Sequence, residues 1–331
     1  KDFNQYVKLE TYSAILLFAA AILALIVDNS GWSHYYHTLL YDKRSLDFGS
    51  WHLGRHSISL WVSDGLMTLF FLLVGLEMKR EMCVGELKSM SQIMLPIIAA
   101  LGGMILPVVF FFIFNSSHPQ HIRACAIPIA TDIAFSLGVL ALLGKRIPPA
   151  LKVFLTALAI FDDMGAVIVI AVFYTAGISQ VFLLLSFVLC VILWLLNRNK
   201  IVILWPYLFV GVLLWFCVLK SGVHPTLAGI ATAFAIPIKG KTRAMSPLKK
   251  LEHKLHLWVT FGVLPIFAFV NAGVSLIDLT MKQLLNPLSM GIASGLFFGK
   301  QLGVFLFSLL FIKLKLAHLP KGVNYRQLYG V

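Results

Sequence analysis

LKVFLTALAIFDDMGAVIVIAVFYT, residues 151–175, is apolar over a length that crosses a bilayer as a helix, yet it carries Asp162 and Asp163 at its middle. A span needs about 20 apolar residues at about 1.5 Å of rise each. On the insertion scale an ionised Asp costs about 2.5 to 3.5 kcal/mol at a helix centre, so the pair costs about 5 to 7 kcal/mol. The thirteen Leu, Ile, Val and Phe residues of the segment offset at most about 4 to 8 kcal/mol. Such a helix is marginal alone and needs partners in a bundle. Two acids near the membrane midplane mark a functional site by default, and holding and releasing protons or a cation is the function they suggest.

The rest of the chain has the same character. It has 331 residues, 59% hydrophobic and 12% charged, with a mean hydropathy of +0.89. A soluble domain would be about one quarter charged, so this is an all-α polytopic membrane protein. The net charge of +13 does not point to nucleic acid. The basic residues cluster at the ends of apolar segments rather than in a stripe interleaved with aromatics, as membrane topology requires. Cys83, Cys125, Cys190 and Cys217 show neither metal-ligand spacing nor a disulfide framework.

Ten spans are expected, at 12–28, 58–78, 93–114, 124–143, 151–175, 179–196, 201–219, 223–237, 256–277 and 289–312, forming one transmembrane domain over residues 1–331. Tyr12 to Val27 is long for the core of a signal peptide, and Asp28-Asn29-Ser30 lacks a small-residue cleavage pattern, so it reads as a span. The chain begins at Lys1 without an initiator Met, which reads as a trimmed start. Alternating the loops puts 20 Lys and Arg on one side and 6 on the other, with Lys300 inside a span. The positive-inside rule then places the N-terminus in the cytoplasm. The first external loop, residues 31–57, carries Leu46, Phe48 and Trp51 about Gly49-Ser50. This suggests a short hairpin, with an irregular amphipathic loop as the alternative.

Two further spans carry chemistry. In CAIPIATDIAFSLG, residues 125–138, Pro128 removes a backbone hydrogen bond, and Thr131 and Asp132 follow at the break. Freed carbonyls at mid-depth persist only against protein or a water-filled cavity, so an interrupted helix beside an acid is expected. In PLSMGIASGLFFGKQLGVFLFSLLF, residues 287–311, Lys300 lies near the centre. At about eighteen ångströms from either end it cannot snorkel out, so it faces the bundle interior and pairs with an acid.

The candidate site is therefore Asp64, Asp132, Asp162, Asp163 and Lys300, with Thr131 as a neutral oxygen donor. Sodium and lithium are hard cations that prefer oxygen ligands. Neighbouring helix residues point about 100° apart, so one of Asp162 and Asp163 can meet Lys300 while the other faces the cation. A structural ion pair joining two helices would explain one acid and leave the others unexplained. A cation channel would lack proton coupling, and a retinal-type photoreceptor would use Lys300 as a Schiff base. A non-transporting interaction protein is a further alternative. No P-loop or nucleophile elbow is present.

FLLVGLEMKREM (71–82), ATDIAFSLGVLALLG (130–144), LAIFDDMGAVIVIAVFYT (158–175), SGVHPTLAGI (221–230), LEHKLHLWVTFGVLPIFAFVNAGVSL (251–276) and GLFFGKQLGV (295–304) resemble the NhaA family of bacterial Na+/H+ antiporters. The likeness runs nearly end to end. It implies an inverted-repeat fold with interrupted helices and secondary antiport of Na+ or Li+ against H+ in the bacterial inner membrane. No cofactor is implied, and the external hairpin would support a homodimer. By the same resemblance Asp163 is the direct cation ligand and Asp162 exchanges its interaction with Lys300. Asp132 and Thr131 compensate half-helix dipoles, and Asp64 lies in an external access funnel. Glu77, Arg80, Glu81, Glu252, His253 and His256 form a cytoplasmic pH-sensing cluster, with His224 linked to the pH response. The family fold implies twelve spans, of which this chain holds ten. It stops at Gly330-Val331, so the last two are expected beyond it.

Overall fold

The computed structural model describes residues 2–42, 44–48, 51–84, 90–129, 136, 148–173, 179–238, 246–276, 279–320 and 322–330, a few of them by their backbone alone. Helix α1 (Asp2–Asp28) meets α2 (Ser33–Tyr41) at a bend of 114°. Strands β1 (Arg44–Phe48) and β2 (Trp51–His56) pair antiparallel, with Phe48 opposite Trp51. Helices α3 (Ile58–Cys83), α4 (Met90–Asn115), α5 (Pro149–Phe173), α6 (Gln180–Arg198), α7 (Leu204–Ser221), α8 (Thr226–Ala235), α9 (Pro247–Asn271) and α10 (Pro287–Lys313) follow. A 3-10 segment, Pro119–Ile129, lies between α4 and α5.

The fourth expected span thus begins as a 3-10 helix at Pro119, five residues early, and its continuation lies outside the described residues. Among the described residues six helices are long and apolar enough to cross a membrane, or seven if α1 and α2 count as one bent span. The gap from ten has local causes. Helix α8 is only 10 residues long, and the apolar stretch of α5 is measured only over Val153–Asp162.

Helix starts follow their capping chemistry. Ser57 Oγ accepts from the Leu60 N–H at the head of α3, and Ser246 Oγ accepts from the Lys249 N–H at the head of α9. Asn286 Oδ1 accepts from the Leu288 N–H at the head of α10. Each satisfies an orphan donor of the first turn. Pro247 and Pro287 follow as first helical residues, where the missing N–H costs nothing. Helix α7 ends at Gly222 with φ of 85°, a left-handed position that glycine adopts without a Cβ penalty.

Three helices contain a π-turn: Val62–Leu66 in α3, Val259–Val263 in α9 and Gly295–Gly299 in α10. The turn in α9 precedes Pro265, whose ring would clash with the carbonyl four residues back in a regular helix.

The chain divides into two compact units. One combines Lys1–Thr11, Arg80–Thr175 and Leu279–Val331. In it α4 packs along α5 and α10, with Leu95, Ile98 and Ala99 meeting Leu151, Phe154 and Leu328. The crossing of α4 and α10 is backbone on backbone. A Cβ at Gly303 would lie 2.1 Å from the Gly102 carbonyl oxygen, and one at Gly102 would lie 2.2 Å from that of Gly303. Small residues that let backbones touch are the usual device for helix association in lipid.

The other unit combines Tyr12–Lys79 and Ala176–Asp278. Its core gathers Leu72, Leu76, Leu193, Tyr207, Ile236 and Leu248. Lys79 Nζ donates to the Phe234 and Ile236 carbonyls at 2.6 Å each, so a cation satisfies the C-terminal end of α8. Asn29 holds the extended segment after α9. Its Nδ2 donates to the Val274 carbonyl at 2.9 Å, and its Oδ1 accepts from the Leu276 N–H at 2.6 Å.

The glycine crossing gives a first prediction. Gly303→Val should destabilise the protein by about 1 to 3 kcal/mol or more through overpacking, read as a lower thermal unfolding midpoint in detergent. Gly31→Ala, where an added Cβ meets nothing within 4 Å, should stay within about 0.5 kcal/mol of the parent.

Candidate functional site

Asp162 lies on α5 and is 1% exposed. Lys300 follows immediately after the π-turn of α10. That turn takes up one extra residue and so resets the direction of every side chain after it. The Lys300 ammonium donates to Asp162 Oδ2 and also to the backbone carbonyl of Ile129. Ile129 is the last described residue of the 3-10 segment. One cation therefore joins α5, α10 and the 3-10 segment.

The ionic ends are enclosed, with side-chain exposures of 18% for Lys300 and 2% for Asp162. Gly103 faces the same stretch of α10, where a Cβ would sit 3.0 Å from Val304 Cγ2 and in ordinary contact, 3.8 Å, with Lys300 Cε. A cavity of about 300 Å³ opens on the pair, lined by Ser136, Leu158, Gln301 and Phe305 among others. The pair is net neutral in an apolar setting. Neither partner can lose its charge without leaving the other uncompensated. The expected lysine–acid pair is thus present, and Asp162 is the acid.

Asp163 occupies the next position on α5, and its side chain lies outside the described residues, as do Thr131 and Asp132.

The unit built from Tyr12–Lys79 and Ala176–Asp278 holds a second group of the candidates. Asp64 sits inside the π-turn of α3. Its backbone carbonyl accepts from Thr68 Oγ1 at 2.6 Å and from the Trp215 indole N–H at 3.0 Å. His224 lies in the turn between α7 and α8, outside either helix, with Nδ1 2.8 Å from Thr226 Oγ1. Burial pushes its pKa down, and the opposing pull of the Asp64 charge is the smaller effect. Glu77 Oε1 and His256 Nδ1 stand 3.7 Å apart. Glu252 is buried at 8% exposure and His253 is exposed. In the first unit, Arg80 Nη2 donates to Glu81 Oε1 at 2.8 Å, with Nε adding a second bond at 3.1 Å. Two contacts are described among the expected pH-sensing residues, Glu77 with His256 and Arg80 with Glu81.

The family model described as Na+/H+ antiporter 1 matches residues 4–331. The chain belongs to the Na+/H+ antiporter family. It is similar to the Na+/H+ antiporter NhaA of Pseudomonas putida strain GB-1, at 50% identity over 329 residues, covering 99% of this chain and 84% of the relative. It is also similar to that of Vibrio parahaemolyticus, at 50% identity over 328 residues, covering 99% and 83%. Membership makes the chain a membrane transporter rather than an enzyme.

Within that family context, sequence reasoning missed the Ile129 carbonyl as the second acceptor for Lys300. No signal in the sequence marks it, because Pro128 withholds a donor from a carbonyl three or four residues before it and not from Ile129. Trp215 and Thr68, which hold Asp64, carried no signal, because a hydrogen bond to a π-turn carbonyl follows from a break that periodicity does not show. Among the described residues no cluster of three or more His, Cys, Asp or Glu could hold a metal ion.

His224 gives a pH prediction. Its folded pKa lies below the unfolded value of about 6.5, so the unfolded chain takes up the proton first. Its contribution to stability is then unpenalised above about pH 6.5 and lost progressively as pH falls through that value. His224→Gln should flatten this acid-side loss, and thermal unfolding midpoints measured from pH 8 to pH 5 would check it. A variant whose midpoints fall in parallel with the parent would contradict the sign.

Proposed function

We propose that Lys300 and Asp162 couple Na+ export to H+ import, through the shared ammonium described above. The Na+/H+ antiport activity itself is that of the family. The observation carrying this reading is one buried acid and one backbone carbonyl that share a single lysine where three elements meet.

In the proposed cycle, a proton arriving on Asp162 neutralises the acid and dissolves its ion pair, while Lys300 keeps the Ile129 carbonyl as an acceptor. Loss of that proton restores the pair. Asp163 takes the cation as an oxygen ligand, with Asp132 and Thr131 supplying further charge and a hydroxyl in place of hydration water. Like charge on neighbouring acids makes the titrations interdependent, so the apparent pKa values belong to the group. A site that accepts either protons or a cation, opened alternately to the two sides, exchanges one for the other. If both aspartates cycle, two protons move per sodium and transport is electrogenic. Li+ is a second substrate by the same oxygen chemistry, and no cofactor is needed.

Regulation by pH is assigned to Glu77, Arg80, Glu81, Glu252, His253, His256 and His224, because an ordinary His titrates near pH 6.5. The excess of Lys and Arg on one side supports an inner-membrane protein with a cytoplasmic N-terminus. The β1–β2 hairpin supports a homodimer, since two strands alone are marginal in water and a second copy would complete the sheet. Lipid is the other partner, and nucleic acid is not one.

Sodium-driven proton flux in proteoliposomes containing residues 1–331 tests the reading. Flux should appear with Na+ or Li+ but not K+, and Asp163→Asn should reduce it to the K+ level. Asp162→Asn should change the charge moved per cycle. Unchanged charge per cycle would sink the electrogenic mechanism, and equal flux with K+ would sink cation selectivity.

A further inference from the structure

Helix α9 enters its span through three turns that are divided lengthwise. Leu248 and Glu252 are buried on one side, with Leu251 and Leu255 packed beside them. Lys249, Lys250, His253, Lys254, Leu257 and Trp258 are exposed on the other. Positions 250, 254 and 257–258 fall on one stripe by helical spacing. Along that stripe the chemistry changes from ammonium groups to an indole that is 76% exposed. The distance from Lys250 to Trp258 is about 12 Å at the usual rise.

Topology alone would place lysines near this end, since the positive-inside rule counts charges. It does not order them by face. Helix stability does not explain them either, because Lys249 and Lys250 lie in the first turn, where a cation opposes the helix dipole. Among the described residues none of Lys249, Lys250 and Lys254 has a carboxylate within ion-pair distance. The acid on these turns, Glu252, is on the buried side, as the Glu77–His256 contact is only partly exposed. Among the described residues, three cations on one face thus have no carboxylate partner within ion-pair distance.

We propose that this face of α9 is a docking surface for anionic phospholipid headgroups. Phosphate would sit among Lys249, Lys250 and Lys254, and the upper acyl chain would lie against Leu257 and Trp258. Charge complementarity selects an anion, and the apolar continuation on the same stripe selects one that carries hydrocarbon. Tryptophan at the headgroup level and lysine reaching outward are the ordinary interfacial arrangement. An acidic protein or a soluble polyanion would use the lysines and leave Trp258 uncovered.

The test is retention of phosphatidylglycerol against phosphatidylcholine by the full chain, measured by native mass spectrometry and by lipid-dependent thermal shift in detergent. Lys249→Gln/Lys250→Gln/Lys254→Gln should weaken apparent phosphatidylglycerol affinity by roughly fivefold per lysine. The corresponding triple Lys→Arg variant should retain it, which separates charge from fold. Lys313→Gln/Lys315→Gln, at the far end of α10, should leave it unchanged. Trp258→Ala should weaken phosphatidylglycerol but not polyphosphate binding. Three results would each overturn the proposal: a Gln triple that retains lipid like the parent, equal stabilisation by both lipids, or polyphosphate competing equally well against parent and Trp258→Ala.

Discussion

The Lys300–Asp162 pair is the constraint on which the surrounding structure depends. Removing two charges from water costs several kcal/mol per ion, and their attraction compensates only with good geometry and further hydrogen bonds. Here the further bond comes from the Ile129 carbonyl, a group that would itself be costly to leave unpaired in an apolar interior. One ammonium therefore holds the acid and the 3-10 segment together. A well-packed apolar contact would join α5 and α10 at least as firmly, so stability does not account for the pair.

Several features of the crossing serve that pair. The close approach of Gly102 and Gly303 holds α10 against α4 without side chains between them. Gly103 adds to the close approach, since a Cβ there would come within 3.0 Å of Val304 Cγ2. Larger residues would push the helices apart and carry Lys300 away from Asp162, and an ionic contact in a low-dielectric site weakens quickly when its geometry is lost. A stripe of small residues, unremarkable as packing, thus determines where the ammonium ends.

Much of this was legible in the sequence because the relevant costs are large. A lysine too deep to snorkel must find an acid, and Asp162 was one of two candidates on the neighbouring span. Pro128 lies within the 3-10 segment that opens the fourth span, and the break expected at Thr131 and Asp132 lies outside the described residues. The strand residues about Gly49-Ser50 announced a hairpin. Less legible was everything set by small energies. The ninth span was expected at 256–277, yet α9 begins at Pro247, because Ser246 caps a polar first half that a hydropathy reading excludes. It ends at Asn271, where Asn29 takes over the following backbone, and no periodicity encodes that contact. The choice between Asp162 and Asp163 as the lysine's partner also required the helix phases, which the π-turn in α10 resets.

The π-turns show how such resets are sustained. In lipid every backbone group displaced from the helical ladder must be satisfied within the protein. At Asp64 this is done by named donors, the Thr68 hydroxyl and the Trp215 indole. Thr68 is one turn along the same helix, but Trp215 belongs to α7, so the turn in α3 is held by a neighbour as well as by itself. The same arrangement that pays the backbone also orients Asp64. A regular helix here would need neither donor, and its acid would point about 100° away. The irregularity is therefore part of how the side chain is aimed, and Trp215 supports it from a neighbouring helix.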